Sequence, residues 1–248
     1  MRTPSRGERT GELNLHVLAP GDPLLPLPFP VLLVGHGNAN FISEELLAYE
    51  LGYRVLVNEQ LSLDTALFYN IYDKILLGSF GILSFVDTPP PGYFLLPVNI
   101  GNNMNGETYG FEVSAKYRPF PWWTLSPAYS LLRMQLNSSP TAVPGYDSTA
   151  SEQNPVNQVS LRSSFDLRHD VSLDFWLRYV DELPSMNIPA YVTLDVRLGW
   201  RPNKKFELSI VGQDLFDNHH PEFGSPIYVK TVPTETQRSV YAQVTWHF

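Results

Sequence analysis

The feature that most constrains this 248-residue chain is an alternation of apolar and polar residues that begins at Ser43 and persists, between turn-forming stretches, to Phe248. Its clearest stretch is R-S-V-Y-A-Q-V-T-W-H-F (238–248). There Val240, Ala242, Val244, Trp246 and Phe248 share one side, and Ser239, Tyr241, Gln243, Thr245 and His247 share the other. A period of two puts successive side chains on opposite faces of a strand, so the pattern predicts β-strands with unlike surroundings on their two sides. The run stops on an aromatic residue, an uncommon end for a soluble domain, whose termini fray into water.

Followed in order, the pattern predicts strands over 47–55 and 61–71, one long strand through 93–118, then 123–131, 159–167, 171–179, 192–200, 206–213 and the terminal run. That makes about nine strands, with part of the N-terminal segment as a candidate tenth, each near the roughly 9–11 residues that cross a bilayer at a tilt. Residues 1–42, rich in Pro, Gly and Asn, are expected to be loop, and 43–248 to carry the strands.

Composition narrows the class. A net charge of -8, with 17 scattered Lys and Arg, opposes nucleic-acid binding, which needs clustered cations. The absence of cysteine removes disulfides, thiolate metal sites and a Cys nucleophile. Charged residues make up 17%, against about 25% in ordinary soluble domains, so apolar groups occupy surface. The most apolar run, 24–34, is broken by Pro26, Pro28 and Pro30, which excludes a transmembrane helix. M-R-T-P-S-R-G-E-R-T lacks the apolar centre of a signal peptide, so an exported protein would be expected to have more sequence in front.

Alternation alone fits either a lipid-embedded barrel or a soluble β-sandwich with a buried core. Two further patterns favour the barrel. Short connections (57–59, 118–122, 168–170, 201–205) alternate with long ones (76–92, 137–155, 182–189, 216–238), the asymmetry of an outer-membrane barrel. Aromatic residues in the apolar phase flank the short turns: Tyr53, Tyr117, Trp123, Phe165, Trp200, Phe206, Trp246 and Phe248 would form one interfacial girdle, with Tyr69, Tyr109, Tyr129 and Tyr179 as its counterpart near the long loops. The opposite phase carries charges of both signs, including Asp64, Glu112, Arg162, Asp174, Arg178, Asp195 and Arg197, which in a barrel line the lumen.

No catalytic constellation emerges. V-L-L-V-G-H-G-N (31–38) suggests a hydrolase oxyanion turn, but its G-x-S-x-G partner is missing, and L-G-S-F-G (77–81) has the wrong spacing. R-H-D (168–170) occupies a turn without a partner serine, and Asp181-Glu182 reads as a solvated loop rim. His219-His220-Pro221-Glu222 offers metal-ligand types, but adjacent loop residues diverge, so a structural role is expected. The expectation is a protein that is not an enzyme and holds neither metal nor cofactor.

S-E-E-L-L-A-Y-E-L-G-Y-R (43–54), G-E-T-Y-G-F-E-V-S-A (106–115), I-P-A-Y-V-T-L-D-V-R-L-G-W (188–200), L-S-I-V-G-Q-D-L-F-D (208–217) and V-Y-A-Q-V-T-W-H-F (240–248) resemble barrel strands of TonB-dependent outer-membrane receptors, and R-T-P-S-R (2–6) resembles their mid-barrel segment. The resemblance implies an all-β, antiparallel transmembrane barrel of about 22 strands, of which this chain would supply nine or ten, with a plug inside. No plug is expected within these residues. It further implies a bacterial outer-membrane location and uptake of a scarce nutrient such as a ferric siderophore or cobalamin. The partners it implies are outer-membrane lipid, the remaining strands and plug, an inner-membrane energy-coupling protein reached through that plug, and the assembly machinery, which would read Val244, Trp246 and Phe248. A fragment inactive by itself is the corresponding expectation, because an open sheet edge facing hydrocarbon is costly. A soluble or surface β-sandwich that binds a ligand, lectin-like, is the alternative.

Overall fold

The computed structural model describes residues 2–224 and 234–247. A short helix, α1 (Arg6–Thr10), precedes strands β1 (Glu12–Leu18), β2 (Val31–His36), β3 (Glu45–Asn58) and β4 (Leu61–Ile75). The short strands β5 (Ser79–Phe80) and β6 (Ser84–Val86) lead to β7 (Tyr93–Asn99), β8 (Met104–Phe120) and β9 (Trp123–Ser138). After helix α2 (Tyr146–Ser151) come β10 (Asn157–Arg168), β11 (Val171–Val180), β12 (Tyr191–Asn203) and β13 (Phe206–Gln213). The pair β14 (His219–Pro221) and β15 (Glu235–Gln237) precedes β16 (Ser239–Trp246).

Nine of these strands form one antiparallel sheet in the order β16-β13-β12-β11-β10-β9-β8-β4-β3. Four of its hairpins close through two-residue turns, at 59–60, 121–122, 169–170 and 204–205. At two of them the same device shapes the turn: Asn58 Oδ1 accepts from the N–H groups of Gln60 and Leu61, both at 2.9 Å, and Asn203 Oδ1 accepts from Lys205 and Phe206 at 2.9 and 3.2 Å. A register irregularity adjoins each of the four turns, the bulge that lets a tightly twisted hairpin close. The remaining connections are long, so the sheet has a short-turn end and a long-loop end.

Register carries the sequence pattern across the whole sheet. Residues directly opposite in neighbouring strands share a face. The line Leu51-Leu67-Phe111-Leu131 crosses β3, β4, β8 and β9 on the apolar side, and a second row on that side, Trp123-Phe165-Leu173-Leu198-Ile210-Ala242, runs from β9 to β16. That apolar side is not covered. Leu51 is 67% exposed, Leu67 52%, Ile210 57% and Val240 70%. A sandwich would bury these residues against a second sheet. Among the described residues, the buried apolar side chains instead lie in the long connections and the small sheet, apart from Met104 at the start of β8 and Val211 on the opposite phase of β13.

Two expectations need correcting. Residues 1–42 are not all loop: β1 and β2 join β7, β5 and β6 in a separate five-stranded sheet. V-L-L-V-G-H pairs in parallel with F-L-L-P-V-N, and Leu18, Val31, Leu33 and Leu96 form its core. Second, 93–118 is not one strand. The chain leaves the small sheet after Asn99 and enters the large one at Met104, because asparagine amides take over the backbone partners at the crossing: Asn102 Nδ2 donates to the carbonyls of Ile42 (3.0 Å) and Lys74 (2.6 Å), and Asn103 Nδ2 to that of Leu77 (2.8 Å).

Gly110 in β8 permits the closest strand approach. A Cβ there would sit 1.9 Å from the Leu131 carbonyl oxygen and 2.8 Å from the Phe68 ring. Gly110→Ala is therefore expected to cost about 1–3 kcal/mol through forced separation of β8 from β9. An unchanged denaturation midpoint in detergent micelles would rule this out.

Candidate functional site

The nine-stranded sheet presents two chemically distinct faces and two distinct ends. At the short-turn end of the apolar face, rings gather into stacks. Trp123 lies 5.6 Å from Phe165 at an interplanar angle of 9°, and Phe120 lies 5.3 Å from Trp122 at 4°, so the four rings form one slab. Phe206 stacks on Trp246 at 5.8 Å. The indole of Trp123 donates to Ser163 Oγ (3.0 Å) and that of Trp200 to Asp170 Oδ2 (3.2 Å), so the large rings keep a polar contact. Tyr53 and Tyr117 project exposed rings, Tyr53 opposite Thr65 and Tyr117 between Leu61 and Leu125. Phe120 and Trp122 were not among the expected girdle residues; the signal for them was the uninterrupted P-F-P-W-W run, whose turn carries their rings into the stack. Val244 pairs with Leu208 on the same face, while Phe248 lies outside the described residues.

Nearer the long loops, Tyr49 stacks on Tyr69 at 6.4 Å, Tyr69 stands opposite Tyr109, and Val159 separates Tyr129 from Tyr179. Their hydroxyls reach polar partners: Tyr129 donates to Asn157 Oδ1 (2.8 Å) and Tyr179 to Asp181 Oδ1 (3.0 Å). Hydrogen bonds from Asn157, and then Tyr179, hold the Asp181 carboxyl below its ordinary range, so Asp181 is an anchored carboxylate and not an acid–base pair with Glu182.

The other face carries the charges, and the structure links most of them. Asp174 sits between Arg162 (3.6 Å) and Arg197 (3.5 Å) and accepts from Ser164 Oγ at 2.6 Å. Arg197 also pairs with Glu207, which receives Arg201 at 2.7 Å. One chain of alternating charge thus crosses β10 to β13. Arg178 donates to Asp195 Oδ2 at 2.9 Å, approaches Asp214 at 3.8 Å and lies 4.6 Å above the Trp176 ring. Asp64 pairs with Arg54, and Glu112 stands between Ala66 and Ser130 on the same face.

At the long-loop end the last connection folds onto this face. Asp214, at a backbone φ of +52°, donates its N–H to Asp195 Oδ1 at 3.1 Å. Burial, and then the Asp195 carboxylate, push the Asp214 carboxyl up. His220 is buried, stacked 4.4 Å from Tyr191, with Nε2 at 3.3 Å from Glu222. His219 turns outward to Glu235 at 2.8 Å. The two imidazoles diverge, and among the described residues no cluster of three ligand-type side chains forms. His169 is exposed in its turn, and V-L-L-V-G-H forms β2 with no nucleophile elbow near it in sequence.

Against the small sheet lies an apolar cleft of about 570 Å³, lined by Leu13, Leu15, Phe80, Val98, Ile100 and Val143 among others. Its rim is tied down by charge. Arg2 reaches Glu8 (2.8 Å) and Glu44 (3.0 Å), while Ser5 and Glu8 cap α1 reciprocally. The Arg2 guanidinium, with the Ser5 N–H behind it, holds the Glu8 carboxyl at about 2. A lowered carboxyl value contributes stability above the ordinary value of 4.5 that is lost as pH falls toward about 2. Amide protection factors in residues 2–11, exchange rates corrected for their intrinsic pH dependence, are therefore expected to fall over that window, and to fall less in Glu8→Gln; equal acid sensitivity in both proteins would remove Glu8 as the cause.

A family model described as "TonB dependent receptor-like, beta-barrel" matches residues 2–215. Comparison with curated proteins found no match. Among solved structures, the siderophore receptor PirA from Acinetobacter baumannii is similar over 88% of this chain and 34% of its own, at 13% identity and a TM-score of 0.64. The ferric yersiniabactin uptake receptor FyuA from Yersinia pestis is similar over 82% and 30%, at 19% identity and 0.57. The ferripyoverdine receptor of the Pseudomonas aeruginosa outer membrane, solved with ferripyoverdine bound, is similar over 83% and 27%, at 15% identity and 0.56. The chain spans about a third or less of the length of these structures, and at such identities the likeness is one of fold.

Proposed function

This chain belongs to the TonB-dependent receptor β-barrel family, and we propose that it forms the C-terminal part of the barrel wall of a receptor for energy-coupled uptake of a scarce nutrient. It is a protein of the bacterial outer membrane. The observation that carries the reading is the uncovered apolar face, continuous in register across nine strands and edged by aromatic rings at the short-turn end. In water that face would aggregate; in a bilayer it meets hydrocarbon. A ferric siderophore or cobalamin is the substrate class this reading favours, in line with the siderophore and yersiniabactin receptors of like fold.

In this reading Tyr53, Tyr117, Trp123, Trp200 and Phe206 mark a headgroup level, joined by Phe120 and Trp122. Asp64, Glu112, Arg162, Asp174, Arg178, Asp195 and Arg197 line the lumen, where charges pair with one another and pack against a plug. Val244, Trp246 and Phe248 serve as the assembly signal. Residues 1–42, with β5, β6 and β7 of the small sheet, cover the long-loop, extracellular side, and the nine strands of the large sheet within residues 43–248 supply barrel wall. The chain assigns itself no reaction, and transport requires the rest of the barrel, a plug and the inner-membrane energy-coupling protein. Both end strands support the need for further strands: β3 is exposed along nearly its whole length, and so is β16.

Fractionation tests the reading. The protein is expected in the outer-membrane fraction after a carbonate wash, and cells lacking it are expected to lose growth on the ferric siderophore it serves. Recovery as a folded monomer from the aqueous phase would favour the sandwich module instead.

A further inference from the structure

The charged side of the nine-stranded sheet is not flat. One cross-strand row on it runs Arg54, Asp64, Ser114, Ala128, Ser160 and Arg178 from β3 to β11, and its members on β8, β9 and β10 are small. The next row toward the short-turn end is bulkier and basic. There Lys116 stands opposite Ser62, and Ser126, Arg162 and Trp176 follow one another across β9, β10 and β11. The hollow that the small residues leave beside this row is a basin of about 600 Å³, a size that suits a small molecule.

The charge of the basin is unbalanced. Its charged lining is Arg54, Lys116 and Arg162 against one carboxylate, Asp64, three cations to one anion and so a surplus of two, in a chain whose net charge is -8. Asp64 is already held by Arg54, Arg162 shares Asp174 with Arg197 at 3.6 and 3.5 Å, and Lys116 has no ion-pair partner among the described residues. Around Arg178, by contrast, two carboxylates face one cation.

The basin also has an exposed ring at its edge. Of the five tryptophans, Trp123, Trp200 and Trp246 lie on the apolar face and Trp122 joins their stacks, whereas Trp176 stands on the charged side and is 42% exposed. Arg178 covers one side of that ring, 4.6 Å from its centroid, and the rest of the indole is a free stacking surface.

Resting on the barrel-wall reading above, which turns this side to the lumen, we infer that the basin is a transit site for the transported ligand and that this ligand is a small anion carrying a flat ring. Its oxyanion groups meet Lys116 and Arg162, and its ring lies on Trp176. Surplus cations in a confined, water-poor channel concentrate anions and give them charge-assisted hydrogen bonds. The small residues Ser114, Ala128 and Ser160 let the ligand lie close to the wall. Within the substrate class proposed above, the basin therefore favours anionic, aromatic chelates of iron over neutral ones without rings.

Lysine acetylation in outer membranes that carry the full chain tests this, with Lys116 as the reporter and Lys204 and Lys205, in their short turn, as references. Sulfosuccinimidyl acetate is applied alone, with a tris-catecholate chelate of Fe(III), which is anionic and aromatic, or with a tris-hydroxamate chelate of Fe(III), which is neutral and has no ring. Lys116 is expected to react when no chelate is present, to be protected by the catecholate chelate while Lys204 and Lys205 are not, and to stay reactive with the hydroxamate. Arg162→Gln and Trp176→Leu are expected to raise the half-protecting concentration about tenfold and about fivefold, and Arg162→Lys to keep most of the protection. Added salt should raise that concentration as well.

Equal protection by both chelates, protection by neither, or a half-protecting concentration that Arg162→Gln or Trp176→Leu leaves unchanged would overturn the inference. So would a Lys116 that resists acetylation before any chelate is added, because the basin would then be filled by protein. The two chelates on the unaltered chain decide the matter even where a variant fails to insert. Any of these results in a carbonate-resistant membrane protein leaves the receptor reading standing; release of the protein by carbonate sinks that reading itself.

Discussion

Leu67→Arg is expected to destabilise the membrane-inserted protein by about 2–4 kcal/mol, whereas Ala66→Arg, one residue earlier, is expected to cost less than about 1 kcal/mol. Both positions lie near the middle of β4, and their strand neighbours put them in opposite worlds. Leu67 stands between Leu51 and Phe111 and is 52% exposed on the apolar face. A guanidinium there must sit in hydrocarbon or bend its long stem toward a headgroup. Ala66 stands between Gly52 and Glu112, so a cation there gains space on one side and a carboxylate on the other. Denaturant titration in lipid vesicles measures the contrast. Equal costs for the two variants, or a larger cost at Ala66, would mean that the apolar face does not meet lipid.

This contrast was legible in the sequence because the phase of a strand survives any error in its ends. Leu51, Leu67 and Phe111 are each read correctly from local alternation, and register then lines them up. The small sheet was not legible for the opposite reason. V-L-L-V-G-H has no alternation to read, and its parallel partner lies some sixty residues away, a pairing that no local turn signal announces. The ion pairs fall between these cases. Alternation places Arg162, Asp174, Arg178 and Asp195 on one face, but only some partners stand directly opposite, as Asp174 does to Arg197; others are diagonal: Arg162 stands opposite Trp176 and reaches Asp174, and Arg178 stands opposite Thr193 and reaches Asp195. Those choices depend on the twist of the sheet and the reach of each arginine, which bring diagonal neighbours within range. Asp214 and His220 were missed as neighbours of Arg178 and Tyr191 because only the path of the last long connection brings them there.

Arg178→Met tests whether charge, and not packing alone, holds that connection to the wall. The arginine spans two elements, pairing with Asp195 in β12 and approaching Asp214 just beyond β13, whose side chains are only 14% and 8% exposed. Methionine keeps apolar contact with Trp176 but leaves two neighbouring carboxylates without their cation. Removing one partner of a buried pair costs about 3–5 kcal/mol, and because Arg178 is itself 34% exposed the lower figure, about 3 kcal/mol at neutral pH, is expected. The pH dependence follows from the Asp214 carboxyl, already pushed up by burial and by Asp195. A raised carboxyl value means the folded protein binds the proton more tightly than the unfolded chain, so stability falls as pH rises through the raised value and returns on acidification. Loss of the arginine widens that effect, and the variant should regain part of its deficit between neutral pH and the ordinary carboxylate range. Arg178→Met combined with Asp214→Asn should regain a similar part at neutral pH, by removing the charge instead of protonating it. Denaturation midpoints of the three proteins at the two pH values decide the matter: a deficit that neither acid nor the second substitution relieves would assign the loss to the stacking of the guanidinium on Trp176, and the carboxylates would then play no part in fixing the loop.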